Sequence, residues 1–122
     1  MTTDGLKKQL YGALSKSADL LPLVGNKIYH LRAPAGSLER VPYVVYSVVS
    51  DVPALSGDNV EYQSSVTMRV HIVVDTGGDY GKIYTVTNKI MLALGYSRYQ
   101  CNEIIDDGHM VYVTDYKIGA DA

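Results

Sequence analysis

Few residues in this 122-residue chain have the types and spacing that chemistry needs. They are the triplet Asp75-Thr76-Gly77, the histidines His30, His71 and His109, Cys101, and the adjacent pair Asp106-Asp107. A helical zinc site needs two ligands one turn apart, and the three histidines stand far from one another with no i,i+4 pair. Each reads as a surface or sheet residue. Cys101 is the single cysteine, so the chain can form neither an intrachain disulfide nor a cysteine-rich zinc site. It has no histidine close in sequence to take its proton, and a buried inert thiol is the natural reading. Asp106-Asp107 precedes Gly108 and reads as turn formation, not as a paired acid and base. Gly77-Gly78 lacks the Gly-Lys-Ser/Thr that completes a phosphate loop. No metal, nucleotide or nucleophile constellation emerges, so no cofactor is expected.

The triplet Asp75-Thr76-Gly77 follows the apolar strand Val70 to Val74. It resembles the catalytic turn of retroviral-type aspartic proteases, which are homodimers of about this size. That resemblance implies two aspartates sharing one proton, because two close carboxylates cannot both ionise cheaply. Beyond the triplet the pattern departs. Gly78 stands where a small residue such as alanine belongs, and a helix follows where a hairpin flap should. The late segment Val111 to Ile118 has no glycine to support such a site. A strand-ending turn explains the triplet more simply, and the chain is expected not to be an enzyme.

Charge and composition narrow the field further. A formal net charge of −2 provides no basic stripe for neutralising phosphates, which excludes sequence-specific nucleic-acid binding as an expectation. Lys7 and Lys8 form the only basic pair and read as a solvated helix face. The opening Met-Thr-Thr-Asp is neither basic nor apolar, unlike a signal peptide. No apolar run approaches the roughly 20 residues of a membrane span. The chain has eleven tyrosines and neither phenylalanine nor tryptophan. Tyrosine pairs an apolar ring with a polar tip, which suits half-buried and interface positions.

The elements that must position these residues follow from periodicity. Val41 to Asp51 is the most apolar run and is rich in β-branched and aromatic residues, which favours a strand. Tyr43, Val45, Ser47 and Val49 line one face, and Val44, Tyr46 and Val48 the other. Neither face is polar, so both need cover. Tyr62 to Asp75 is a second long strand, with Val66, Met68, Val70, Ile72 and Val74 on one side. The other side carries Ser65, Thr67, Arg69, His71, Val73 and Asp75, a polar row that is either wet or bonded to a partner. Leu6, Leu10 and Leu14 predict a first helix capped by Thr3 or Asp4. A short turn is expected through Leu20 and Leu21, then a short strand from Lys27 to Leu31. Ile83, Thr87, Ile90 and Leu94 predict a second helix, capped by Asp79 and ended by Gly95. Tyr96 to Glu103 and His109 to Ile118 predict two more strands. Ala33 to Arg40 and Val52 to Glu61 read as loops, the latter longer than the usual ~4–6 residues. Gly119 to Ala122 reads as a tail. The sum is a single α+β domain over residues 1–122, in the order α-β-β-β-α-β-β. It has a mostly antiparallel sheet of four to five strands with two helices packed on one face.

The order and spacing of these segments resemble a known family. They are Val24-Gly25-Asn26-Lys27-Ile28-Tyr29, Val41-Pro42-Tyr43-Val44-Val45-Tyr46 with Ser50-Asp51, a polar loop, the strand Val66 to Ile72, the helix from Asp79 to Leu94, Gly95-Tyr96, and the last hairpin through Tyr116. Together they are similar to the tail-completion, or tail-terminator, proteins of tailed bacteriophages, over roughly residues 5 to 118. The resemblance implies an α+β subunit of a ring, typically a hexamer, at the head-proximal end of the tail in the virion, assembled in the host bacterial cytoplasm. Such a ring stops tube polymerisation and presents a surface for head–tail joining. Its partners are itself, the tail tube protein and the head–tail connector protein, and DNA passes through its lumen unread. The family has no catalytic residues to carry over. On this reading Tyr43, Val45, Arg69 and His71 mark a subunit boundary. Glu39, Arg40, Ser56, Asp58 and Asn59 sit on loops that meet the tube or the connector. Two other readings stand beside it: another head–tail connector or head-completion protein of the neck, and the dimeric protease.

Overall fold

The computed structural model of the chain describes residues 2–33, 41–57, 60–75, 80–106 and 108–121. Helix α1 spans Thr3–Ser15 and buries Leu6, Leu10 and Leu14, which its period places on one stripe. Its cap is Thr2, one residue before the expected Thr3 or Asp4. The Thr2 backbone is extended, so its hydroxyl accepts the Gly5 N–H at 3.2 Å. The other two candidates are engaged elsewhere: Thr3 donates to Asp51 at 2.6 Å, and Asp4 pairs with Lys8 at 3.2 Å.

Helix α2, Leu21–Val24, is one turn long and adds a third helix to the two expected. Pro22 sits in its first turn, where a missing N–H costs nothing, and Gly25 closes it at φ 64°. Strand β1 is Ile28–His30, β2 is Tyr43–Gly57 and β3 is Val60–Asp75. Helix α3, Gly81–Ala93, follows. Its N-cap is Tyr80, whose hydroxyl donates to Glu103 and does not cap the helix, and the expected Asp79 lies outside the described residues. Gly95, at φ 98°, ends the helix turn as its position in the sequence suggests. Strands β4, Ser97–Asp106, and β5, His109–Asp121, complete the chain.

The five strands form one sheet in the order β1-β2-β3-β5-β4. Only β1 runs parallel to its neighbour. This is the expected α+β architecture with a mostly antiparallel sheet. On its helix side, Val44, Tyr46, Met68, Val70, Ile72 and Tyr116 pack with Leu10, Leu14, Leu20, Ile83 and Met91 into the main core. Tyrosine replaces phenylalanine in this core. Tyr116 is fully buried and donates its hydroxyl to Asn88 Oδ1 at 2.9 Å, and Tyr80 stacks on Tyr112 at 4.3 Å between ring centres.

Two expectations are corrected. Most of the expected loop Val52 to Glu61 is strand: β2 runs on to Gly57 and β3 starts at Val60, paired through Asp51↔Val66, Val52↔Ser65, Pro53↔Ser64 and Ser56↔Glu61, and residues 58–59 lie outside the described residues. Pro53 is compatible because β1 pairs only with Val44–Tyr46. From Ser47 onward β2 is an edge strand, where a missing donor is tolerated. Irregularities between Val48 and Ser50 and around Leu55 absorb the poorly matched residues. Residues 119 to 121 are likewise not a tail. Strand β5 continues to Asp121 because β3 offers Ser65, Ser64 and Gln63 as partners for Gly119, Ala120 and Asp121.

Candidate functional site

Three strands put a three-by-three grid on the side of the sheet away from the helices. Across β2, β3 and β5 the register aligns Tyr43, Val73 and Val111, then Val45, His71 and Val113, then Ser47, Arg69 and Asp115. The alternation of a strand makes this inevitable once the even-numbered residues of β3 enter the core. The first row is apolar and the last polar, so the face grades from one to the other. Tyr43, Val45 and Val73 form a small cluster with Tyr29, Ala33, Val41 and Val111 beside them. The Tyr29 ring meets Tyr43 edge-on at 5.8 Å. A cleft of about 220 Å³ opens between Leu31, Arg32, Tyr43, His71, His109 and Val111.

The polar end is a closed charge network. Arg69 donates to both Asp115 carboxylate oxygens, Nε at 2.8 Å and Nη2 at 3.1 Å, and Gln100 on β4 donates to Oδ2 at 2.9 Å. The Asp115 side chain is 6% exposed and that of Arg69 38%, so the carboxylate is the committed partner. The Arg69 bonds hold the Asp115 carboxyl below its ordinary value, against the opposing pull of burial, with Gln100 adding to the effect. The same contact raises Arg69. Burial, followed by repulsion from Arg69, lowers His71, while Asp115 and a backbone bond at Val45 work the other way. His71 Nδ1 is buried with no hydrogen-bond partner among the described residues.

Tyr43, Val45, Arg69 and His71, singled out from sequence, therefore stand together on adjacent strands. The residues that sequence reasoning missed are Asp115 and Gln100. Asp115 carried a signal, since it interrupts the apolar alternation Val111, Val113 on its own strand. Of the loop candidates, Glu39, Arg40, Asp58 and Asn59 lie outside the described residues, and Ser56 is a strand residue opposite Glu61. Asp75 ends β3 with its side chain 76% exposed, 3.6 Å from His109 Nε2. Thr76 and Gly77 lie outside the described residues. Among the described residues, no group of three or more His, Cys, Asp or Glu could hold a metal, and no helix is long and apolar enough to cross a membrane. The grid offers no nucleophile beside a base. What it offers is a charge-balanced, half-apolar face on which Tyr43, Val45, Val73, Val113 and Asp115 are buried and Ser47, Arg69, His71 and Val111 partly exposed.

Comparison with known proteins agrees with that chemistry. No curated protein matches the chain in sequence. Among solved structures, a chain of the virion of the native gene transfer agent particle is similar in fold. Its TM-score is 0.60 at 16% identity, covering 93% of this chain and 92% of that one. The family model of the tail completion protein gp17 matches residues 8–115, most of the length. The chain therefore belongs to the tail completion protein gp17 family, and it is a structural protein of the phage tail in the virion.

Proposed function

We propose that this protein, acting as one domain over its whole length, closes the head-proximal end of the tail tube. There it stops tube polymerisation and offers the surface that head–tail joining uses. The observation that carries this reading is the family match over residues 8–115. The chemistry of the sheet face away from the helices supports it. A surface neutralised by its own Arg69–Asp115 pair, with apolar rows beside it, suits contact with another protein subunit better than contact with phosphates or a small substrate. Copies of the chain associate head to tail into a ring, typically of six, and its lumen passes DNA unread. The tube protein on one side and the connector on the other are its further partners, met in the host cytoplasm during assembly.

The grid residues Tyr43, Val45, Arg69 and His71 lie near the boundary between subunits. The segments carrying Glu39, Arg40, Ser56, Asp58 and Asn59 reach the tube or the connector. The deciding experiment removes the chain from assembling tails and measures tube length and head attachment by electron microscopy. Overlong tubes without heads, restored to uniform length by adding the protein back, are expected. Tubes of normal length that merely fail to attach heads would instead assign it a connector role in the neck, the second reading. Removal of residues 56–59 is expected to leave the fold intact and abolish tail joining. A double variant Arg69→Glu/Tyr43→Ala is expected to fold and fail to assemble. Peptidase activity lost on Asp75→Asn would move the protein to the protease class.

A further inference from the structure

The basic pair Lys7-Lys8 does not stand on an isolated helix face. A groove of about 460 Å³ opens beside it, lined by Asp4, Lys7, Lys8 and Tyr11 of α1, His30 of β1 and Tyr46 of β2. The four helical residues fall at i, i+3, i+4 and i+7, so α1 presents them together. On the sheet side, the parallel β1–β2 register sets His30 beside Tyr46, with ring centres 5.2 Å apart. The groove falls within the ~300–1,000 Å³ of ligand sites and is larger than one small inorganic ion needs.

Tyr46 distinguishes this groove from a solvated helix face. The residue is 5% exposed and belongs to the main core, yet it lines the groove. Buried tyrosine hydroxyls normally find a partner, as Tyr116 does in Asn88. The Tyr46 hydroxyl has none among the described residues, and it is not sealed in the core as that of Tyr96 is. Burial, followed by the nearby Tyr11, raises it above its ordinary value, so it keeps its proton and remains a donor. The Lys7 ammonium has no ion-pair partner among the described residues, whereas Lys8 holds Asp4 at 3.2 Å. Two lysines against one aspartate leave the groove at a formal charge of +1, and the rest of the chain at −3.

We infer that this groove takes a carboxylate side chain on an acidic segment of a partner protein of the tail, with the Tyr46 hydroxyl and the Lys7 ammonium as its donors. Charge complementarity selects the occupant: unpaired donors and positive charge share a space whose one acid is already neutralised by Lys8. The size of the groove suits a segment of chain better than a free anion. A nucleic-acid backbone would carry its charge past the groove and onto a remainder that is negative, and a short acidic segment does not. The inference rests on the tail reading above for where the partner belongs, and it names that partner's chemistry. It needs neither the ring nor the capping role.

The test titrates a fluorescent hexaglutamate peptide against the full chain at low salt, reading anisotropy, and maps the contact by amide chemical shifts. Shifts centred on Asp4 to Tyr11 and on His30 are expected. Lys7→Glu should weaken binding by roughly tenfold or more, and Tyr46→Phe, which removes only a hydroxyl, by about tenfold. Lys89→Glu makes the same charge change on the exposed side of α3 and should leave binding unchanged, with circular dichroism confirming each fold. Absent binding, or shifts centred elsewhere on the unaltered chain, overturns the inference whatever the variants do. Tyr46→Phe binding like the unaltered chain, or Lys89→Glu weakening it as much as Lys7→Glu, would show diffuse attraction only and overturn it too. The occupant is wrong if inorganic phosphate displaces the peptide at equal concentration, or if duplex DNA binds more tightly through Lys7. It is equally wrong if the two groove variants abolish self-association, which would make the occupant a second copy. Peptide binding by a chain whose removal leaves tails and head attachment intact would overturn the tail-end reading and leave the groove standing. Overlong tubes with no peptide binding would do the reverse.

Discussion

Asp115 is the residue on which the sheet face away from the helices depends. It is nearly buried, and its charge is balanced by a partner that is not. Removing the two ends of this pair should therefore have unequal costs. Asp115→Asn leaves Arg69 free to rehydrate and keeps a polar group for Gln100, and should lose about 1 kcal/mol in a urea melt. Arg69→Met strands a buried carboxylate with Gln100 as its remaining side-chain donor, and should lose about 3 kcal/mol. Acid should act in two stages. His71 has a lowered folded value, so as pH falls below the ordinary histidine value of about 6.5 the unfolded chain takes up a proton that the folded chain resists, and stability drops. The Asp115 contribution is fully present above the ordinary carboxylate value of about 4 and is lost as pH falls further, through its lowered folded value. A His71→Gln variant measured by urea midpoint against pH should lose the first slope and keep the second. Sequence placed Arg69 and His71 on one polar row by alternation alone. It marked Asp115 only as a break in the alternation of its strand and could not supply its partner, because that pairing joins residues 46 apart through a β3–β5 register that nothing local specifies.

At the scale of elements, helix interiors and strand faces were legible and element ends were not. The leucine stripe of α1 and the Val66-to-Val74 face of β3 follow from period alone, because one side of each must be buried. The β2–β3 hairpin was misread because Pro53, Gly57, Asp58 and Asn59 are residues that break a strand in isolation. At Pro53 and Gly57 the partner strand overrides that local preference, since cross-strand pairing and not propensity decides whether a strand continues. Two glycines separate local preference from required conformation. Gly12 lies inside α1 with nothing within 4 Å of an added Cβ, so Gly12→Ala should gain about 0.5–1 kcal/mol by restricting the unfolded chain. Gly95 sits at φ +98°, so Gly95→Ala should lose about 1–2 kcal/mol, although its Cβ would meet only Ile118 Cδ1 at 3.8 Å. For a domain of this size each kcal/mol should move the melting temperature by roughly 4 °C, in opposite directions for the two variants.

Among the described residues, helices pack on one face of the sheet and the other face carries the half-apolar grid, and in a chain of a tail-completion family this makes the state of association the informative quantity. An apolar second face was legible at Val41 to Asp51, where neither side of the strand is polar. Which strands would be left on the edges was not, because strand order depends on long-range pairing. A closed ring of about six copies of the 13.4 kDa chain would have a mass of about 80 kDa. Head-to-tail association with ring closure is cooperative: open intermediates keep two unsatisfied ends, whereas the ring keeps none. In a light-scattering concentration series the mass should therefore rise from monomer to ring without a populated dimer. If the contacts are too weak to close the ring unaided, the chain should stay monomeric alone and reach the ring mass only on isolated tail ends, where the tube aligns successive copies. That behaviour would also keep free rings from forming before a tube exists to be capped. A stable dimer at all concentrations would contradict the head-to-tail contact, because two copies joined that way still expose one free end each.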